Sequence, residues 1–302
     1  MINKQPLKIN MLSKFTRYPR WRLLTVMLTL TLTSFQSAAA ITPAPLFGYL
    51  PDTEVSEITV EGKSQPVLIR AWEGKKRLGA AILLANTGTN ADAPGLMAHL
   101  RRHLNAKGWA TISLMPPDES ANPSFATDAN EVSKAGGEQL TMKSTDAVPK
   151  YTDEQQQAQL DAQLANVSSS LSQIDSLGTE YPGKRLLITT DQSAGLVIRL
   201  LNEHKIPVPD ILVVINPYMI NDGQNRLIAK QLADMEIPVL DIISPDAHPA
   251  SSITAKSRYD VAGIKPRYLY RQQALQLNLN QPIAWANCQD VIVGFAHTIL
   301  QL

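Results

Sequence analysis

The chain contains one cysteine, Cys288. No internal disulfide can therefore hold the fold, and an apolar core has to do so alone. Cys288 lies in an apolar stretch of helical period, which predicts a buried small side chain. No Cys/His spacing fits a zinc site, so no metal is expected. No G-x-G-x-x-G follows the first apolar strand and there is no P-loop, so no nucleotide or other cofactor is expected. Beyond residue 40 acidic residues outnumber basic ones, which argues against nucleic acid as a partner.

Acidic residues are also missing from the first forty positions. These carry Lys4, Lys8, Lys14, Arg17, Arg20 and Arg22, then an apolar run from Leu23 to Phe35, then Ser37-Ala-Ala-Ala40. That order is the charged, apolar and small-residue pattern of a secretory signal peptide. The apolar part is shorter than the roughly 20 residues a membrane-spanning helix needs. Residues 1–40 are expected to be removed, which places the mature protein in the periplasm; a membrane association follows only if the segment is retained. The whole chain has 28 Lys+Arg and 27 Asp+Glu. Without its leader it keeps 22 basic and 27 acidic residues, a net charge of −5.

Residues 41–302 read as a single domain, long enough to bury one large core. Ile58–Glu61 and Gln65–Trp72 form a hairpin turning at Glu61-Gly-Lys-Ser64. Gly79–Ala85 is an unbroken apolar run, as in a strand buried on both faces; Trp109–Leu114 reads as the next strand, and Ile211–Asn216 as another strand buried on both faces. Further strands are predicted at Ile237–Ile243 and Arg267–Leu275. Between them lie helical patterns at Gly95–Lys107, Thr152–Leu177, Gln224–Met235, 251–262 and Pro282–Leu300. The alternation predicts an α/β fold, a three-layer sandwich around a mostly parallel sheet. Residues 117–150 are polar and poor in large apolar side chains, and read as a mobile insertion.

The most informative stretch is Lys184-Arg-Leu-Leu-Ile-Thr-Thr-Asp-Gln-Ser193-Ala-Gly195-Leu-Val-Ile-Arg-Leu-Leu-Asn-Glu203. An apolar strand runs into an apolar helix through a small, polar junction with a serine in it. Such a junction lifts a side chain clear of the sheet and offers it helix N–H groups and positive dipole. Ser193 reads either as a nucleophile at the tip of the turn or as the N-cap of an ordinary helix. Small residues are needed two positions either side of a tip; Gly195 satisfies this and Asp191 does not.

The order of parts resembles the α/β-hydrolase fold across most of residues 56–300. Leu83-Leu-Ala-Asn-Thr-Gly88 with Asp92-Ala-Pro94, Leu100-Arg-Arg-His-Leu and Gly108-Trp-Ala-Thr-Ile-Ser-Leu are similar to an exported proteobacterial family known only as a domain of unknown function. The resemblance implies Ser193 as nucleophile, with Ala194 and either Thr87 or Gly88 as oxyanion donors. It implies Asp246 as the triad acid, with Asp241 as the less suitable alternative because it falls mid-strand. It also implies a histidine after the last strand, and Gln276-Leu-Asn-Leu-Asn-Gln-Pro282 has none. His248 and His297 are the remaining candidates for the base, while His99 and His103 read as solvent-facing.

Two functions follow. One is a catalytically degenerate hydrolase-fold protein that binds a ligand or a cell-envelope protein. The other is a serine ester or acyl hydrolase acting on a small ligand through Ser193. A serine without a base stays protonated and is a poor nucleophile, so the missing histidine weighs toward the first.

Overall fold

The structure, a computed structural model, describes residues 46–119, 125–127, 147–149 and 151–301. The chain divides into two units, Met1–Leu46 and Phe47–Leu302. The predicted leader lies outside the described residues. Among those residues no helix is long and apolar enough to cross a membrane.

Eight strands form the main sheet: β1 (Val55–Val60), β2 (Lys63–Arg70), β3 (Gly79–Leu84), β4 (Trp109–Leu114), β7 (Lys184–Thr190), β8 (Ile211–Ile215), β9 (Val239–Ile243) and β10 (Tyr270–Ala274). Their spatial order is β1-β2-β4-β3-β7-β8-β9-β10. β1 and β2 are antiparallel, β2 meets β4 antiparallel, and every later pairing is parallel. The hairpin turn is tighter than predicted. Glu61 and Gly62 both have positive φ, 50° and 75°, which is the two-residue turn whose twist matches that of the strands. Lys63 and Ser64 already belong to β2.

β3, β4 and β8 are buried along their whole length; β3 and β8 are unbroken apolar runs, and β4 also buries Thr111 and Ser113. On one face, α2 (Asp153–Ser172), α4 (Asp191–Asn202) and α5 (Asp222–Asp234) cover a core that includes Leu164, Val167, Leu196, Leu200, Ile228 and Leu232. On the other, α1 (Leu96–His103) and α7 (Pro282–Leu300) cover Leu100, Leu104, Ile188, Ile292 and Phe295. Cys288 is fully buried there, and burial pushes its thiol up to about 12. The result is the three-layer α/β sandwich that the alternation predicts.

Several helix ends move for local reasons. α1 stops at His103 and continues as a 3-10 turn, Asn105–Lys107, before Gly108 at φ 97°. α2 starts on a capping box between Thr152 and Gln155 and breaks at Ser172, with α3 (Ile174–Leu177) following. α6 (Pro249–Ala262) starts two residues earlier than predicted, with Pro249 in its first turn and His248 as N-cap. Within the 117–150 insertion, β5 (Phe125–Thr127) pairs antiparallel with β6 (Ala147–Pro149). The rest of that insertion beyond Glu119 lies outside the described residues, and with it the expected mobility.

Asp241, mid-strand in β9, is fully buried and has partners to match. Arg258 Nε donates to its Oδ2 at 2.9 Å, Tyr270 Oη at 2.8 Å and Gln272 Nε2 at 3.0 Å. The carboxylate ties α6 and β10 to β9, a bracing role and not a catalytic one.

Candidate functional site

The junction between β7 and α4 is a sharp elbow, but its tip is Asp191. Thr190 is still extended (φ −124°, ψ 151°), Asp191 turns into the left-handed region at φ 54°, and the helix is counted from Asp191 onward. A non-glycine residue at such a φ is uncommon and is held in place by its surroundings. Tyr218 N–H donates to the Asp191 carbonyl at 3.3 Å, clamping the tip from the loop after β8.

This corrects both sequence readings of Ser193. It is the third residue of α4, neither tip nor N-cap, and it is 0% exposed. Its Oγ is buried and has no hydrogen-bond partner among the described residues. Ala194, read as an oxyanion donor, is the fourth residue of α4, with its side chain in the core. Gly195 is small for another reason: a Cβ there would stand 2.2 Å from the Tyr218 carbonyl oxygen.

With Asp191 at the tip, the first oxyanion donor becomes the N–H of Gln192 and the second that of Thr87 or Gly88, in the loop after β3. All three are occupied. Asn86 Oδ1 accepts from Gln192 N–H at 3.2 Å and from Thr87 N–H at 2.9 Å. Gly88 N–H donates to the Pro117 carbonyl at 2.9 Å. The carboxamide oxygen of Asn86 thus sits where the N–H groups converge, as a substrate oxyanion would. Gln192 is held on two further sides, by Thr87 Oγ1 at 3.1 Å and by Gln163 Oε1 at 3.1 Å.

Asp246 occupies the loop after β9, where the sequence places a triad acid. Asn216 and Ser244 exchange hydrogen bonds of 2.8 and 2.9 Å, and Ser244 Oγ donates to Asp246 Oδ1 at 2.6 Å. The loop after β10, where the resemblance implies a histidine, bonds the same carboxylate through its backbone. Leu279 N–H and Asn280 N–H donate to it, each at 3.0 Å. Burial disfavours the charged form of Asp246, but the hydrogen bonds from Ser244, Leu279 and Asn280 outweigh it and hold the carboxyl below its ordinary range.

Among the described residues neither candidate base hydrogen-bonds Ser193, Asp191 or Asp246. His248 is exposed, its Nδ1 accepts from Ala250 N–H at 3.2 Å as the cap of α6, and its ring stacks on Tyr218 at 4.3 Å. His297 lies fifteen residues along α7 from Pro282, roughly 22 Å of helix, and its Nε2 contacts Gln301. His99, read as solvent-facing, is half-buried beside Trp285 and stacked on His103 at 4.1 Å. Burial, then the neighbouring His103, lower its pKa, and Gln289 opposes them.

Electrostatics single out Asp191. Burial raises its carboxyl to about 6, the Thr190 hydroxyl opposes the rise, and the charge of Asp246 adds to it. Tyr218 is raised by burial and then by the charge of Asp191, with a hydrogen bond to Asn86 acting the other way. Asp191, Tyr218, Asn86 and Asp246 therefore form one interacting group at the carboxyl ends of β3, β7, β8 and β9, where open α/β sheets bind ligands. Among the described residues no cluster of His, Cys, Asp or Glu could hold a metal ion.

A hairpin start, the strand order 1-2-4-3 continued by parallel strands, an elbow after the central strand and an acid loop after β9 define an α/β-hydrolase fold. Solved structures agree. An α-β serine hydrolase homologue from Coxiella burnetii is 12% identical, with a TM-score of 0.50 over 81% of this chain and 98% of that one. The esterase domain of a Rhodothermus marinus protein is 13% identical, TM-score 0.52, over 80% and 97%. Dienelactone hydrolase from Anabaena variabilis is 10% identical, TM-score 0.50, over 80% and 97%. At such identities the likeness is one of fold. No curated protein matches the chain. Within the fold class, the chain belongs to the family of proteins of unknown function DUF3530, which matches residues 25–298.

Proposed function

We propose that this is a non-hydrolytic α/β-hydrolase-fold protein, exported to the periplasm, that binds a ligand or an envelope partner. One observation carries the reading: a carboxylate stands at the elbow tip, and the oxyanion donors beside it are already satisfied by Asn86. A serine hydrolase needs a hydroxyl at the tip, a base against it and free donors in front of it. Ser193 lies two residues past the tip, inside the helix, and Asp246 accepts from the backbone of Leu279 and Asn280.

A carboxylate can itself act as a covalent nucleophile. The ester so formed must then be cleaved by base-activated water, and no imidazole contacts Asp246 among the described residues. The leader-like sequence of residues 1–40 supports export. The strained tip with its buried carboxyl supports ligand binding, because such a feature is costly to keep without a use.

The test is turnover of short-chain p-nitrophenyl esters by the purified protein, beside Ser193→Ala and Asp246→Asn. The expected rate equals that of buffer in all three. A protein-dependent rate that falls in either variant overturns the reading.

A further inference from the structure

The sheet ends at β10, whose one strand partner is β9. The Leu269 carbonyl accepts from Val239 N–H at 2.9 Å, and Leu275 N–H donates to the Ile243 carbonyl at 2.7 Å. The odd-numbered residues of β10 therefore turn their backbone groups toward β9, and Tyr270, Gln272 and Ala274 turn theirs to the open edge. Tyr270 N–H is satisfied by the Pro266 carbonyl, and the Ala274 carbonyl by the side chain of Gln273. At the centre, the backbone N–H and carbonyl of Gln272 have no partner among the described residues. An edge of this kind is a template for another strand.

The edge is also recessed. α6 and α7 flank it and leave a groove of about 810 Å³ along the strand. Tyr259 and Tyr268, 60% and 48% exposed, stand on the α6 side, with Phe295 and Thr298 on the α7 side. Arg267 and Arg271 line the same groove, and no Asp or Glu does. Arg271 donates to the side-chain oxygen of Gln273 at 3.1 Å, and among the described residues neither Arg271 nor Arg267 has an ion-pair partner. Two guanidinium groups without carboxylates, beside unpaired backbone, set the chemistry of an occupant. A second copy of the chain would crowd four guanidinium groups into one groove, which like-charge repulsion opposes. An acidic strand would meet both with charge-assisted hydrogen bonds.

We propose that the β10 edge is a docking site for an extended, acidic segment of a partner protein, which adds to the sheet as a further strand and sets carboxylates against Arg267 and Arg271. The groove shares no lining residue with the elbow. The proposal rests on the partner-binding half of the reading given above, while ester turnover tests the non-hydrolytic half, so the two can fail separately.

The test is fluorescence anisotropy of the purified protein with a labelled peptide of roughly eight residues, alternating Glu and Val, the length of an ordinary strand. The same peptide is compared with Gln in place of Glu, and with alternate backbone amides N-methylated. The acidic peptide is expected to bind, and its affinity to fall about tenfold in the Arg267→Ala/Arg271→Ala variant and on raising the salt. The N-methylated peptide is expected not to bind the unaltered protein, a result that misfolding of a variant cannot imitate. No binding, or equal binding of the Glu and Gln peptides, overturns the proposal. So does light scattering that shows a dimer insensitive to the peptide, because the edge would then belong to a second copy.

Discussion

Asn86 Oδ1 accepts a hydrogen bond from Gln192 N–H at 3.2 Å, across 106 positions of sequence. With the 2.9 Å bond from Thr87 N–H to the same oxygen, it closes the space between β3 and the elbow from within. The site is filled by the protein's own amide, which satisfies the donors that a hydrolase keeps free for its transition state.

Removing that oxygen leaves two partly enclosed N–H groups without an acceptor. Asn86→Ala is expected to lower stability by about 1–2 kcal/mol, read as a reduced midpoint in urea denaturation at unchanged slope. An unaltered midpoint would mean that water satisfies both N–H groups and that Asn86 is not the plug described.

Asp191 gives the fold a pH dependence of known sign. Its folded-state pKa is raised from the ordinary value to about 6. The unfolded chain therefore loses this proton first, and the group costs stability as pH rises from about 4 through 6. Asp191→Asn is expected to stabilise the protein at pH 8 by about 1–3 kcal/mol, with the gain vanishing near pH 4. Urea denaturation at the two pH values checks it, and carboxyl resonances in an NMR titration locate the group directly. A gain that is the same at both pH values would remove the titration from the explanation.

The buried brace at Asp241 predicts a larger loss. Asp241→Ala strands the fully buried guanidinium of Arg258 and removes the partner of Tyr270 and Gln272. The expected cost is about 3–5 kcal/mol, enough to leave a poorly folded chain at 37 °C. Replacing Asp241 and Arg258 together by apolar residues of similar volume is expected to recover most of that loss, which separates an unpaired charge from a packing defect.

The architecture was legible because its signals are long. Gly79–Leu84 and Ile211–Ile215 are unbroken apolar runs, the commonest pattern of a strand buried on both faces. The tip of the elbow was less so. Asp191-Gln-Ser193-Ala-Gly195 reads as a serine between small neighbours, but the requirement for small residues holds two positions either side of the true tip. Around Asp191 those positions are Thr189 and Ser193. The misfit of Asp191 two residues before Ser193 was the one local signal of this register. Gly195 concealed it, being small because the Tyr218 carbonyl passes against it. The absence of a histidine after β10 was readable directly. That backbone N–H groups of Leu279 and Asn280 would bond Asp246 instead was not, because no side-chain pattern encodes it. His248 pointed two ways: beside Asp246 in sequence it resembled a base, while the following Pro249 marked it as the residue capping α6.

The central claim is that no activated serine exists at the elbow. Its most direct test is labelling of the purified protein with a fluorophosphonate probe, with Ser193→Ala and an Asp191→Ser variant beside it. The buried, baseless Ser193 is expected to remain unlabelled, Ser193→Ala to fold with the stability of the parent, and Asp191→Ser, which puts a hydroxyl at the tip without a base, to gain at most trace labelling. Stoichiometric labelling of the unaltered protein that disappears in Ser193→Ala would contradict the account.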